Sequence, residues 1–222
     1  MTRPRRLTAA NIKRLAKEYR HAVWLLLLPL HLLLFFLAEK VIISDYWVSY
    51  SPLDDKIPFI SAFIIPYCLW YPSLVVPGAY LLRYEPNGFR RYMWALFASF
   101  FFCVMFCLVF PNGQDLRPAV IDGSDVLGLA VQAMYEVDTN TNVLPSMHVV
   151  GALIAVIAVF DSPGMRRIWS CALSVIIAGL IIISTVLVKQ HSVLDIFAGI
   201  GLVAVAYPVF YVVVKKRQPK GP

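Results

Sequence analysis

The chain has 222 residues, 59% of them apolar and only 15% charged, with a formal net charge of +7 and a mean hydropathy of +0.71. A soluble domain is about half apolar and about a quarter charged, so this composition excludes a soluble enzyme, a disordered tail and a nucleic-acid module. The positive charge does not point to nucleic acid, because the basic residues lie at the edges of apolar segments.

In chain order, residues 1–21 form a basic arm carrying Arg3, Arg5, Arg6, Lys13, Arg14, Lys17 and Arg20. It reads as a positively charged membrane anchor rather than a lipid-binding switch. A helix of about 20 apolar residues crosses a hydrocarbon core roughly 30 Å thick, and six segments of residues 22–214 qualify. These are Ala22–Ala38, Ile57–Leu82, Tyr92–Phe110, Val143–Phe160, Ile168–Val188 and Ile196–Val214. The second is interrupted by Pro58, Pro66, Pro72 and Pro77, which predicts a kink or first turns outside the membrane. No run has the period-two alternation of a membrane barrel. The expected fold is therefore an all-α, polytopic six-helix membrane bundle, ending in a basic tail over 215–222. Cys68, Cys103, Cys107 and Cys171 sit inside apolar runs without metal-ligand or disulfide spacing, and read as packing residues. The first span lacks a small-residue cleavage site and reads as retained.

Six spans put both termini on one side. Sixteen of the 20 Lys and Arg then share that side, leaving Lys40, Lys56, Arg117 and Lys189 on the other. Ten of the 13 acidic residues fall opposite the termini. This asymmetry predicts cytoplasmic termini in a plasma (inner) membrane. The one long connection, Pro111–Asn142, faces outward, where long ordered loops tend to carry function.

The unusual polar residues gather at that outer face. His148 follows Pro145, Ser146 and Met147 at the start of the fourth span; Lys189, His191 and Asp195 lie at the start of the sixth; Arg117 is in the long loop. Ionisable groups at membrane depth are costly and are functional candidates. Pro145 suits a first helical position, which leaves the amides of Ser146, Met147 and His148 free to bind an anion, with the Ser146 hydroxyl as a further donor. His191 and Asp195 share a face if both are helical. Asp195 then fixes the His191 tautomer and frees the other ring nitrogen to attack. Arg117 and Lys189 can neutralise phosphoryl charge, and His148 can protonate a departing oxygen. His21 and His31 have no such partners and read as interfacial and packing residues.

Pro145-Ser146-x-His148 followed by His191-x3-Asp195 at the start of a last helix resembles the type 2 phosphatidic acid phosphatase superfamily. Arg117-Pro118 matches the end of the first of that family's three motifs. Pro145, Ser146 and His148 match the second, and Ser184, His191 and Asp195 match the third at the required spacing. Three positions depart: Phe110 stands for a lysine, Met147 for a glycine and Thr185 for an arginine. The bulky residue between Ser146 and His148 is similar to the branch containing inositol phosphorylceramide synthases. The resemblance implies a membrane enzyme in which His191 is the nucleophile, Asp195 orients it and His148 is the acid. Arg117, Ser146, Lys189 and the amides near Met147 would bind phosphate. The implied substrate is a membrane lipid phosphate or diphosphate. Water as acceptor makes the enzyme a phosphatase; an alcohol makes it a phosphotransferase. No metal-type carboxylate cluster appears in the sequence, and neither cofactor nor nucleic-acid partner is expected. A non-catalytic channel, transporter or lipid-binding protein is the rival from another class.

Overall fold

The computed structural model describes residues 19–41, 45–121 and 125–217. Most of the basic arm, and the tail beyond residue 217, lie outside the described residues. Over the rest the chain is mostly helical. A 3-10 segment, Arg20–Leu26, runs into α1, Leu27–Val41. The second apolar stretch is a 3-10 turn, Ser61–Phe63, then α2, Ile64–Cys68, and α3, Trp70–Tyr84. Next come α4, Pro86–Val109, and a short loop helix α5, Val126–Val137. The apolar helices α6, Met147–Asp161, and α7, Ile168–Leu187, follow. Last is α8, Val193–Tyr207, which widens into a π segment, Pro208–Val214, and ends as α9, Lys215–Arg217.

Five of these stretches are long and apolar enough to cross a membrane: Arg20–Lys40, Ser61–Tyr84, Pro86–Val109, Ile168–Leu187 and Val193–Arg217. The fourth expected span is α6, which is apolar but only 15 residues long. Large apolar side chains such as Val75, Val76, Leu173, Ile176, Phe197 and Val205 point outward, as in an integral membrane protein, where lipid replaces water as the neighbour.

Prolines account for the irregular helices. Pro72 has no N–H to give the Cys68 carbonyl, and the second stretch breaks at Leu69, between α2 and α3. Pro208 likewise opens the π segment. Pro86, by contrast, sits at the first position of α4, where its missing donor costs nothing.

The short helix α6 lies at the centre and packs against α3, α4, α7 and α8. The main core joins Phe89, Tyr92, Leu96, Phe100 and Cys103 of α4 to Val150, Ile154 and Ala158 of α6. Gly199 lets α8 lie against the start of α6: a Cβ there would meet Val149 Cβ at 3.0 Å and the Ser146 carbonyl at 3.2 Å. At the far end of α6, Asp161 accepts from Arg91 at 2.5 Å and from Lys215 at 2.5 Å. Close by, Glu85 accepts the Ser162 hydroxyl at 2.5 Å. One end of α6 is thus tied by ion pairs between helices, and the other carries the candidate site.

Candidate active site

Two turns build the site. The first closes α7. Val188 is its last half-helical residue and Lys189 takes a left-handed φ of 54°. Lys189 N donates to the Val186 carbonyl at 3.2 Å and Gln190 N to the Thr185 carbonyl at 2.9 Å. These are the paired bonds of a Schellman turn, with lysine where glycine is usual. His191 N also reaches the Thr185 carbonyl, at 3.1 Å, so the turn delivers His191 back toward the bundle.

The second turn opens α8. Ser192 is its N-cap, accepting from Leu194 N at 3.2 Å, while Asp195 accepts from Ser192 N at 2.9 Å. This is a capping box with Asp195 at its third position. His191 therefore precedes the helix, contrary to the expectation that it shares a helical face with Asp195. The two still meet, with His191 Nδ1 3.2 Å from Asp195 Oδ2, because the capping carboxylate folds back toward the residue before the cap.

The start of α6 also differs from expectation. Ser146, not Pro145, begins the helix: it is the N-cap, and its hydroxyl accepts from Val149 N at 3.4 Å. A serine side chain can satisfy a first-turn donor and a proline cannot. The Ser146 amide is already used, donating to the Asp195 carbonyl at 3.2 Å. The ladder begins with Val150 N to Ser146 O, so the amides of Met147 and His148 precede it. Met147 itself packs against the core.

His148 is buried at 8% exposure against two rings, Tyr67 with centroids 4.3 Å apart and Trp70 at 4.7 Å. Gly151 makes room for that indole, since a Cβ there would stand 2.7 Å from Trp70 Nε1. The His148 and His191 rings meet edge to face at 5.7 Å. His148 Nε2 is buried without a hydrogen-bond partner.

Arg117 comes to the same place from the long loop. Its guanidinium donates to the carbonyls of Tyr135, at 3.2 Å, and Asp138, at 2.5 Å, and to Gln190 Oε1 at 2.6 Å. It lies 4.0 Å over the Tyr135 ring. Its Nε is buried and unpartnered, and burial lowers its pKa from the ordinary arginine value. Lys189 points the other way, its ammonium donating to the Asp54 carbonyl at 2.8 Å. Phe110 is 41% exposed beside Trp47, and the Thr185 hydroxyl bonds within α7.

Three residues of the site were not singled out in the sequence. Ser49 Oγ donates to Asp195 Oδ1 at 2.5 Å. Asp54 is 1% exposed and caps α8 from outside, accepting from Ser192 Oγ at 2.6 Å and Val193 N at 2.9 Å. Asp138 accepts the Tyr67 hydroxyl. Burial raises the Asp138 carboxyl above its ordinary value, offset in part by Tyr67, His191 and Arg117.

Compared with known proteins, the chain matches no family model, no curated protein and no solved structure.

Proposed function

We propose that the chain is a membrane enzyme transferring a phosphoryl group from a lipid phosphate or diphosphate through a phosphohistidine. The observation that carries this reading is the meeting of His148, His191 and Asp195 from the starts of two helices, with His148 Nε2 and Arg117 Nε both buried and unpartnered. A buried polar nitrogen without a partner is costly; an anionic ligand that reaches these atoms removes the cost.

In this reading Asp195 holds His191 Nδ1–H, and Nε2 attacks phosphorus. An N–P bond forms as the P–O bond to the lipid leaving group breaks, and His148 supplies the proton that the leaving oxygen takes. His148 then removes a proton from water, whose oxygen attacks phosphorus. The N–P bond breaks, phosphate leaves and His191 is restored. Arg117, Ser146 and the amides at Met147 and His148 are the proposed phosphate-binding groups, with the positive end of α6 adding its dipole; Lys189, bound to the Asp54 carbonyl, braces the turn that carries His191.

A second reading, transfer to an alcohol, is favoured by one observation. Both site cations already serve protein carbonyls, and Asp138 and Asp195 stand near the proposed phosphate position. Such a site suits the single charge of a phosphodiester better than the double charge of a monoester.

The proposed setting is a six-span bundle in the plasma membrane, with α6 as the fourth crossing, the termini cytoplasmic and the site outward. The ring of Arg91, Asp161 and Lys215 at the opposite end of α6 supports this orientation. Measuring phosphate release and head-group transfer from a panel of lipid phosphates by the purified protein tests the activity. No turnover on any of them sinks it in favour of a binding or transport role. For orientation, single cysteines placed over 113–140 should react with an impermeant thiol reagent in intact cells. Labelling only after lysis reverses the assignment.

A further inference from the structure

Asp195 has two oxygens, and each has its own donor. Oδ2 takes the Ser192 amide and faces His191; Oδ1 takes the Ser49 hydroxyl. Ser49 and Asp195 are both 0% exposed, and 146 positions separate them in sequence. We propose that Ser49 is a positioning residue for the His191 nucleophile, acting through Asp195; this rests on the phosphoryl-transfer reading.

The backbone around Ser49 is fixed from several sides. Two short parallel strands, β1 (Trp47–Val48) and β2 (Asn112–Gly113), pair just before it, and Ser49 N donates to the Gly113 carbonyl at 2.7 Å. Gly113 permits the close approach: a Cβ there would stand 2.6 Å from the Tyr46 ring and 2.9 Å from the Asn140 carbonyl. Five residues after Ser49, Asp54 grips the first turn of α8 through Ser192 and Val193. The segment 49–54 therefore meets the head of α8 at two points, one on the Ser192 hydroxyl and Val193 amide and one on the Asp195 carboxylate.

A carboxylate held by one donor can still rotate about its last side-chain torsion. A second donor on the opposite oxygen stops the rotation and keeps Oδ2 toward the imidazole. Ser49 thereby fixes which His191 nitrogen carries the proton, and with it the nitrogen left to attack. The hydroxyl has no route to the substrate, because both it and Asp195 are sealed from solvent.

The test compares Ser49→Thr with Ser49→Val in the full-length protein. The two side chains have nearly the same volume and differ in the hydroxyl, so folding defects from size affect both alike. With p-nitrophenyl phosphate and with phosphatidic acid in detergent micelles, Ser49→Val is expected to lower kcat about ten- to a hundredfold, as losing a hydrogen bond to a charged group does. KM should stay within about twofold, and Ser49→Thr should retain most of the activity. Nitrogen-15 NMR of labelled histidine, with His191 assigned through His191→Ala, reads positioning without needing turnover. Wild type and Ser49→Thr should keep one His191 tautomer, with the proton on Nδ1, and Ser49→Val should mix the two. Equal kcat and equal tautomer populations in the Val and Thr variants overturn the proposal. A wild-type protein that turns over neither substrate overturns phosphoryl transfer instead, and the tautomer comparison still decides whether Ser49 positions His191.

Discussion

His191 and Asp195 meet as the residue before a helix and the residue that caps it: Nδ1 lies 3.2 Å from Oδ2, the oxygen that also accepts the Ser192 amide. One carboxylate thus serves the helix and the histidine together. Removing it exposes the Ser192 donor as well as freeing the ring, so Asp195→Ala should lose both stability and activity, whereas His191→Ala should lose activity alone.

The packing of His148 against Tyr67 and Trp70 leads to a prediction about leaving groups. If His148 supplies the proton to the departing oxygen, His148→Ala should slow substrates with poor leaving groups about a hundred- to ten-thousandfold. A p-nitrophenyl ester should be much less affected, since its leaving group departs without help. Equal losses on lipid and nitrophenyl substrates, measured as kcat, contradict the acid role.

Asp138 predicts a pH effect. Its carboxyl is raised by burial, so it takes up a proton at a higher pH than an ordinary aspartate. As pH falls through that raised value the site loses a negative charge, and KM for an anionic lipid should fall. Asp138→Asn should show the lower KM at neutral pH and a flatter profile. The sign for stability follows: a raised acid favours the fold when protonated, and its contribution is lost as pH rises through the folded value. The asparagine variant should therefore be at least as stable as wild type at neutral pH. Parallel KM profiles for the two proteins count against Asp138 facing the substrate.

Lys189 combines a left-handed backbone with an ammonium bound to the Asp54 carbonyl. Lys189→Met should lower kcat/KM about tenfold and also lower the thermal midpoint, because Asp54 caps α8. Lys189→Gly loses the same ammonium but suits the positive φ, and should be about 1 kcal/mol more stable than the methionine variant. Lost activity with an unchanged thermal midpoint in Lys189→Met makes the lysine a direct phosphate ligand instead.

Much of this site is written in local spacing. Pro145, Ser146 and His148 mark a helix start, and His191-x3-Asp195 marks a second, so both could be found from residue types alone. Their partners could not. Ser49 and Asp54 reach α8 across 146 and 138 positions, and no periodicity links such distant segments. The exchange of Pro145 for Ser146 at the head of α6 turns on which side chain can accept an amide, a local choice between two adjacent good signals. The apolar spans were legible from composition and the kink of the second from its prolines, but not the short reach of α6, since hydropathy does not count backbone hydrogen bonds. The engagement of Arg117 and Lys189 with carbonyls was hidden for a similar reason: charge is visible in sequence, and its partner is not.

The proposed mechanism passes through a covalent bond between His191 and phosphorus. Rapid quenching of the purified protein with a lipid phosphate labelled at phosphorus, followed by peptide mapping, tests it most directly. An acid-labile, base-stable label is expected on the peptide containing His191, formed faster than turnover and absent in His191→Ala. Steady turnover with no label on that peptide, or turnover that survives His191→Ala, contradicts it.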